Sequence, residues 1–279
     1  DSVALHGYTS AQGDAETRQA VADYLNKTHG TNFNADNFYI TMGAAASLSI
    51  CFKSLTTSEE DEFIVIAPFF PEYSVFISAA GAKPVVVPPD TENFQIDFDA
   101  LEARISKNTK GIVINSPNNP SGAVYSAATI EKLAALLEKK QSEFGTQIFI
   151  IADEPYREIA YDGIEVPFVT KYYKNTVVGY SYSKSLSLPG ERIGYLVIPD
   201  ELEDSEDVIA AASIANRIIG SVNAPSLMQK VIAKCIDAEV DVAAYDKNRI
   251  ALYEGLKACG FECIKPQGAF YLFVKSPVE

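Results

Sequence analysis

Three apolar runs dominate the middle of the chain: Gly111–Asn115, Ile148–Ala152 and Thr176–Tyr180. None alternates apolar with polar positions. Continuous runs of this kind mark strands buried on both faces, as in a parallel sheet. Between the first two, apolar residues recur at helical spacing from Ser126 to about Phe144, with Gly145 as a stop. The same alternation opens the chain. Asp14 can cap a helix through Ala20, Val21, Tyr24 and Leu25, Phe38–Ile40 reads as a short strand, and Gly43 precedes an Ala/Leu-rich helix. Glu62–Ala67 and Val85–Val87 read as strands around a helix that starts at Pro71 and stops near Gly81. Asp97 can cap a further helix over Asp97–Ile105. Strand–helix–strand alternation predicts an α/β sandwich with right-handed crossovers. Beyond about Asp200 the pattern shifts to longer helices, including Pro225–Asp237 and Asp241–Cys259, and a strand pair, Phe261–Ile264 with Ala269–Phe273, is expected to close it.

Composition narrows the class. The 279 residues are 47% hydrophobic and 22% charged, which suits a packed core. The net charge of −14 and the lack of a basic stripe argue against nucleic acid as a partner. No apolar run reaches membrane-spanning length. Two scattered histidines and four cysteines without metal-ligand spacing give no metal cluster, and a reduced cytoplasmic setting is expected. The chain opens on Asp1 rather than Met and closes just after an apolar stretch, so both ends look cut.

In an open α/β sheet, ligands bind at the carboxyl ends of the strands. Polar residues follow the three runs there: Asn118 and Asn119 after the first, Asp153 after the second, Ser181 and Lys184 after the third. Lys184 precedes Arg192 by eight residues. Desolvation and a cationic neighbour lower a lysine's pKa and make it a better amine nucleophile. Asp153 can pair with a heterocyclic nitrogen and keep a pyridine ring protonated, and Tyr156 can reach the same ligand. Between strand and helix, Thr41–Ser47 offers small residues whose backbone N–H groups can meet an anion; it is neither a Walker P-loop nor G-x-G-x-x-G. Read singly, each has an ordinary alternative: a solvated lysine, a capping aspartate, a packed tyrosine, a plain turn.

Together these segments resemble the class I/II aminotransferases among the fold-type I pyridoxal-phosphate enzymes, over about Gly7 to Phe273, with five motifs in the family's order. The resemblance implies a three-layer α/β sandwich with a mostly parallel central sheet. Residues 1–244 would form the large cofactor-binding domain and 245–279 the beginning of a smaller α/β one. It implies pyridoxal 5'-phosphate as cofactor, with Lys184 as the Schiff-base lysine, Asp153 on the pyridine nitrogen, and Tyr156 and Asn119 on the ring hydroxyl. Ser181, Arg192 and the backbone N–H groups of Ala44 and Ala45, opened by Gly43, would hold the phosphate. Phe70 would stack on the ring, and Tyr8 would reach the phosphate of a neighbouring subunit in a homodimer. Gly268–Tyr271 is similar to the family's small-domain strand. Substrates would be an L-amino acid and a 2-oxo acid.

The family's arginine for the substrate α-carboxylate falls beyond residue 279, and its N-terminal arm is not represented. Other readings stay open: a carbon–sulfur lyase, decarboxylase or ring-forming synthase on the same scaffold, or a non-enzymatic effector-sensing domain. A Ser-x-x-Lys hydrolase is disfavoured, because Ser181-x-x-Lys184 lacks the Ser-Asp-Asn and Lys-Thr-Gly partners. The preferred amino acid is not legible.

Overall fold

The computed structural model describes residues 5–278. Seven strands form one sheet: β1 (Phe38–Thr41), β2 (Glu62–Ile66), β3 (Lys83–Val87), β4 (Thr109–Asn115), β5 (Phe149–Asp153), β6 (Thr176–Ser181) and β7 (Gly194–Val197). Their order is β1-β7-β6-β5-β4-β2-β3. β3, β2, β4, β5 and β6 run parallel, while β7 is antiparallel to both β6 and β1. The sheet is therefore mostly parallel, as the unbroken apolar runs require.

Alternate strand residues feed two cores. Ile112, Ile114, Ile150, Ala152 and Val178 face one side, where they meet α1 (Ala15–His29) and α5 (Ala127–Phe144). Val113, Phe149, Ile151 and Val177 face the other, against α2 (Ala44–Leu55), α3 (Glu72–Ala80) and α7 (Ser205–Ile218). This is the three-layer arrangement. Helix α5 shows its cause: Ile130, Leu133, Ala134 and Leu137 recur at i, i+3, i+4 and i+7 and are all buried. Ser126 caps its start by accepting from Thr129 N–H, and Gly145 ends it in the left-handed conformation, φ 66°. Asp14 likewise caps α1. Ile150 and Ile151 are fully buried, each worth about 1.5–3 kcal/mol of transfer free energy.

Three differences from the sequence pattern stand out. Helix α4 (Phe98–Glu102) is one turn long, shorter than its apolar spacing suggests, although Asp97 caps it as expected. The pattern did not single out α7 or β7. The closing strand pair does not form: Cys263 and Val274 make one isolated bridge, and Gly268 instead bridges Ala160. The reason is competition for hydrogen bonds. Gln267 and Gly268 N–H both donate to Gly122 O, and Ala269 N–H donates to Ile159 O, so this stretch is pinned to loops of the sheet rather than to its hairpin neighbour. Helices α8 (Ser226–Lys234) and α9 (Val242–Ala258) occupy the expected positions. No helix among the described residues is long and apolar enough to cross a membrane.

Candidate active site

Strands β4, β5 and β6 lie side by side, with Asn115 paired in register to Asp153 and Asp153 to Gly179. The register sets three strand ends next to one another. Asn115, Asp153 and Ser181 terminate them, and Lys184 follows on the short helix α6 (Tyr182–Ser185). Above these ends lies a cavity of about 250 Å³ lined by Ala44, Ala45, Phe70, Asn119, Asp153, Tyr156, Ser181, Lys184 and Arg192 among others. Nine of the eleven residues expected at the site thus share one wall. Gly43 sits just behind it. Tyr8 does not reach it and is 98% exposed.

Asp153 is 5% exposed. Its Oδ2 accepts a hydrogen bond of 2.5 Å from Tyr73 Oη. Its Oδ1 is buried and has no partner. Burial pushes the carboxyl up to about 7, against the Tyr73 hydrogen bond that pulls it down, while the neighbouring Glu154 charge adds to the rise. An orphaned buried carboxylate oxygen is costly and calls for a donor. The turn that carries Asp153 is braced from behind. Asn115 Nδ2 donates to Asp153 O at 2.7 Å, and Asn115 Oδ1 accepts from Asn119 N–H at 2.6 Å. Arg157 Nε donates to Glu154 Oε2 at 2.6 Å, in a buried ion pair whose guanidinium lies 4.8 Å from the ring centroids of both Phe168 and Tyr180.

Lys184 Nζ lies 5.7 Å from the Tyr156 ring centroid and 5.1 Å from that of Phe270. Burial, reinforced by the Arg192 charge, holds its ammonium below the ordinary lysine range. This is the desolvated, cation-flanked setting read from the sequence.

The anion end is built from backbone. Gly43 is the N-cap of α2 with φ 83° and no side-chain cap, so the first N–H groups of the helix have no capping side chain, and Ala44 and Ala45 line the cavity. A Cβ at residue 43 would stand 2.8 Å from Arg192 Nη2. The positive φ is what favours glycine here, and a side chain would also displace the end of Arg192. Arg192 is itself left-handed, φ 51°, with Nη1 donating to Pro189 O at 2.8 Å and Nη2 to Met42 O at 3.3 Å. Ser181 caps α6, and its Oγ lies 2.7 Å from Ser183 Oγ.

Sequence reading missed three participants. Tyr73 was assigned no role, Asn115 was read only as a strand end, and Tyr271 only as part of a motif. Tyr271 Oη lies 2.6 Å from Tyr156 Oη. Partners separated by 80 and 115 residues leave no local signal. No group of metal-ligating side chains occurs among the described residues.

Comparison with known proteins agrees with this geometry. The sequence matches the family described as aminotransferase class I and II over residues 1–279. It is 31% identical over 95% of its length to a probable N-acetyl-LL-diaminopimelate aminotransferase of Bacillus subtilis, covering 66% of that protein. It is 32% identical over 95% of its length to an aspartate aminotransferase of Pyrococcus horikoshii, covering 67% of it. A crystal structure of an aminotransferase from Eubacterium rectale superposes with a TM-score of 0.97 at 68% identity, over 99% of this chain and 69% of that one. The chain thus spans about two thirds of the length of these relatives. Family match, fold and the convergence of lysine, aspartate and arginine on one cavity place the chain in the class I and II aminotransferase family.

Proposed function

We propose that the protein is a pyridoxal 5'-phosphate-dependent aminotransferase that moves an amino group between an L-amino acid and a 2-oxo acid. The observation that carries this is the unpartnered Oδ1 of Asp153, which shares a cavity with Lys184. A protonated pyridine nitrogen is the donor that oxygen lacks. The uncapped helix start at Gly43, with Arg192 beside it, suits a phosphate dianion. The residues present therefore fit the cofactor at both ends.

When bound, pyridoxal 5'-phosphate supplies an aldehyde that reacts with amines and a ring that accepts electrons from the substrate carbon losing its proton. The chain does the rest. Lys184 Nζ, whose charge is disfavoured by burial, would hold the cofactor aldehyde and would serve as the base that takes the substrate α-proton and hands it back. Asp153 Oδ1 would hold the ring N–H and so keep the ring electron-poor. Tyr156 Oη and the Asn119 amide would hydrogen-bond the ring hydroxyl. Arg192, Ser181 Oγ and the N–H groups of Ala44 and Ala45 would hold the phosphate, and Phe70 would cover the ring face.

Tyr8, fully presented to solvent on the loop before α1, suits a contact to the phosphate of a second subunit, so the active unit is read as a homodimer. Four free cysteines suit a cytoplasmic protein. Residues 1–244 are assigned to the large domain and 245–279 to the start of the small one. The test is product analysis: full-length protein with an amino-acid panel and a 2-oxo acid acceptor should give a new amino acid and no free ammonia. Release of ammonia with pyruvate would assign a lyase instead.

A further inference from the structure

The cavity beside Lys184 is not lined by the sheet ends and their loops alone. Tyr271 lines it as well, and the Phe270 ring centroid lies 5.1 Å from Lys184 Nζ; both come from the stretch that was expected to be a strand. That stretch is fixed by close backbone contact. Gln267 and Gly268 N–H reach Gly122 O at 2.8 and 2.9 Å, and Ala269 N–H reaches Ile159 O at 2.9 Å. Tyr161 Oη donates to Ala269 O at 2.5 Å. A Cβ at Gly268 would lie 2.6 Å from Pro117 Cβ. The loop that carries Asn119 and the turn that follows Asp153 therefore hold Tyr271 in place. The Tyr271 ring meets Tyr156 edge-on, with centroids 5.6 Å apart.

The two hydroxyl oxygens stand 2.6 Å apart, and Tyr156 Oη has no other hydrogen-bond partner in the chain among the described residues. A phenol carries one proton, so only one member of the pair can donate to the other. Both residues line the cavity. Once Tyr156, 4% exposed, gives its proton to an acceptor in that cavity, only the partly exposed Tyr271 is left to donate to it. Accepting that bond strengthens Tyr156 as a donor, because hydrogen bonds in a chain polarise one another.

We propose that Tyr271 is a positioning residue: its hydroxyl donates to Tyr156 Oη and thereby aims the Tyr156 proton at the ring hydroxyl oxygen of the bound cofactor. This rests on the cofactor assignment above. It gives the closing segment a chemical role in addition to packing. The other ionisable groups around the pair are Asp153 on β5, Tyr73 on α3 and Lys184 on α6. Arg192, which lines the same cavity, completes the charged set.

The test is the pH midpoint of the cofactor absorbance band in the full-length protein. A donor on the ring oxygen favours its deprotonated form, so losing donor strength moves the midpoint up. Tyr271→Phe keeps the ring and its packing. It should raise the midpoint by a few tenths to about one pH unit. Tyr156→Phe should raise it further, and the double variant should match Tyr156→Phe alone, because Tyr271 acts only through Tyr156. A Tyr271→Phe midpoint equal to wild type, or a double variant whose shift is the sum of the two, overturns the proposal. A wild-type protein with no titrating cofactor band overturns the functional assignment and this proposal with it.

Discussion

Tyr73→Phe isolates the hydrogen bond that prepares Asp153. Tyr73 is 2% exposed and its ring packs edge-on against Phe70, with centroids 5.6 Å apart. The substitution removes one oxygen and leaves that packing intact. It also leaves Asp153 with both carboxylate oxygens unpartnered in the free protein, since Oδ1 is already orphaned. A hydrogen bond to a charged group is worth about 1.5–3 kcal/mol. That bond favours the carboxylate, so its loss moves the Asp153 carboxyl further above about 7. At neutral pH the group becomes a carboxylic acid and no longer offers a ring N–H a charged acceptor. Cofactor affinity at pH 7 should fall by about tenfold to a hundredfold, the equivalent of that energy. The assay is an absorbance titration with pyridoxal 5'-phosphate at several pH values. In the wild type, affinity should drop as pH falls through about 7, where Asp153 takes up its proton; in the variant the drop should begin at higher pH. Equal affinity and an unmoved break, in a protein with unchanged thermal stability, would refute the argument that Tyr73 sets the charge of Asp153.

Two further outcomes follow from the same geometry. Gly43→Ala places a methyl 2.8 Å from Arg192 Nη2 at a φ of 83°. It should weaken phosphate binding, read as at least a tenfold loss of pyridoxal 5'-phosphate affinity with little change for pyridoxal, which lacks the phosphate; equal losses for both would place the damage elsewhere. Asp153→Asn concerns stability. The folded carboxyl is raised from 3.8 to about 7, so its contribution to folding is favourable below about pH 4 and is lost as pH climbs through 7. The cofactor-free Asn variant should therefore be more stable than wild type at pH 8, by the order of a few kcal/mol, and show no gain at pH 4; calorimetry at both values decides, and a variant less stable at pH 8 contradicts the burial argument.

The sheet was legible because its strands are buried on both faces, so each reads as a continuous apolar run. Burial also made the chemistry visible: Asp153 and Lys184 are polar residues placed directly after such runs, where a crossover sheet gathers its ligands. Strand β7 escaped because it is short and opens on Gly194, two residues after Arg192 closes the preceding turn. The closing strand pair was misread because two short apolar runs fit a hairpin equally well until Gly122 and Ile159 take their hydrogen bonds. Tyr73 and Tyr271 were not assigned because each acts through one hydrogen bond to a residue distant in the chain, and Asn115 because its bond to Asp153 O crosses between strands. Such contacts exist only after folding and leave no periodicity or spacing behind.

The most direct test is chemical. Borohydride reduction of the protein loaded with pyridoxal 5'-phosphate, followed by digestion and mass spectrometry, should find the cofactor mass on the peptide that carries Lys184 and on no other. A modified lysine elsewhere, or none at all in protein that retains the cofactor, would contradict the assignment of Lys184 on which the site is built.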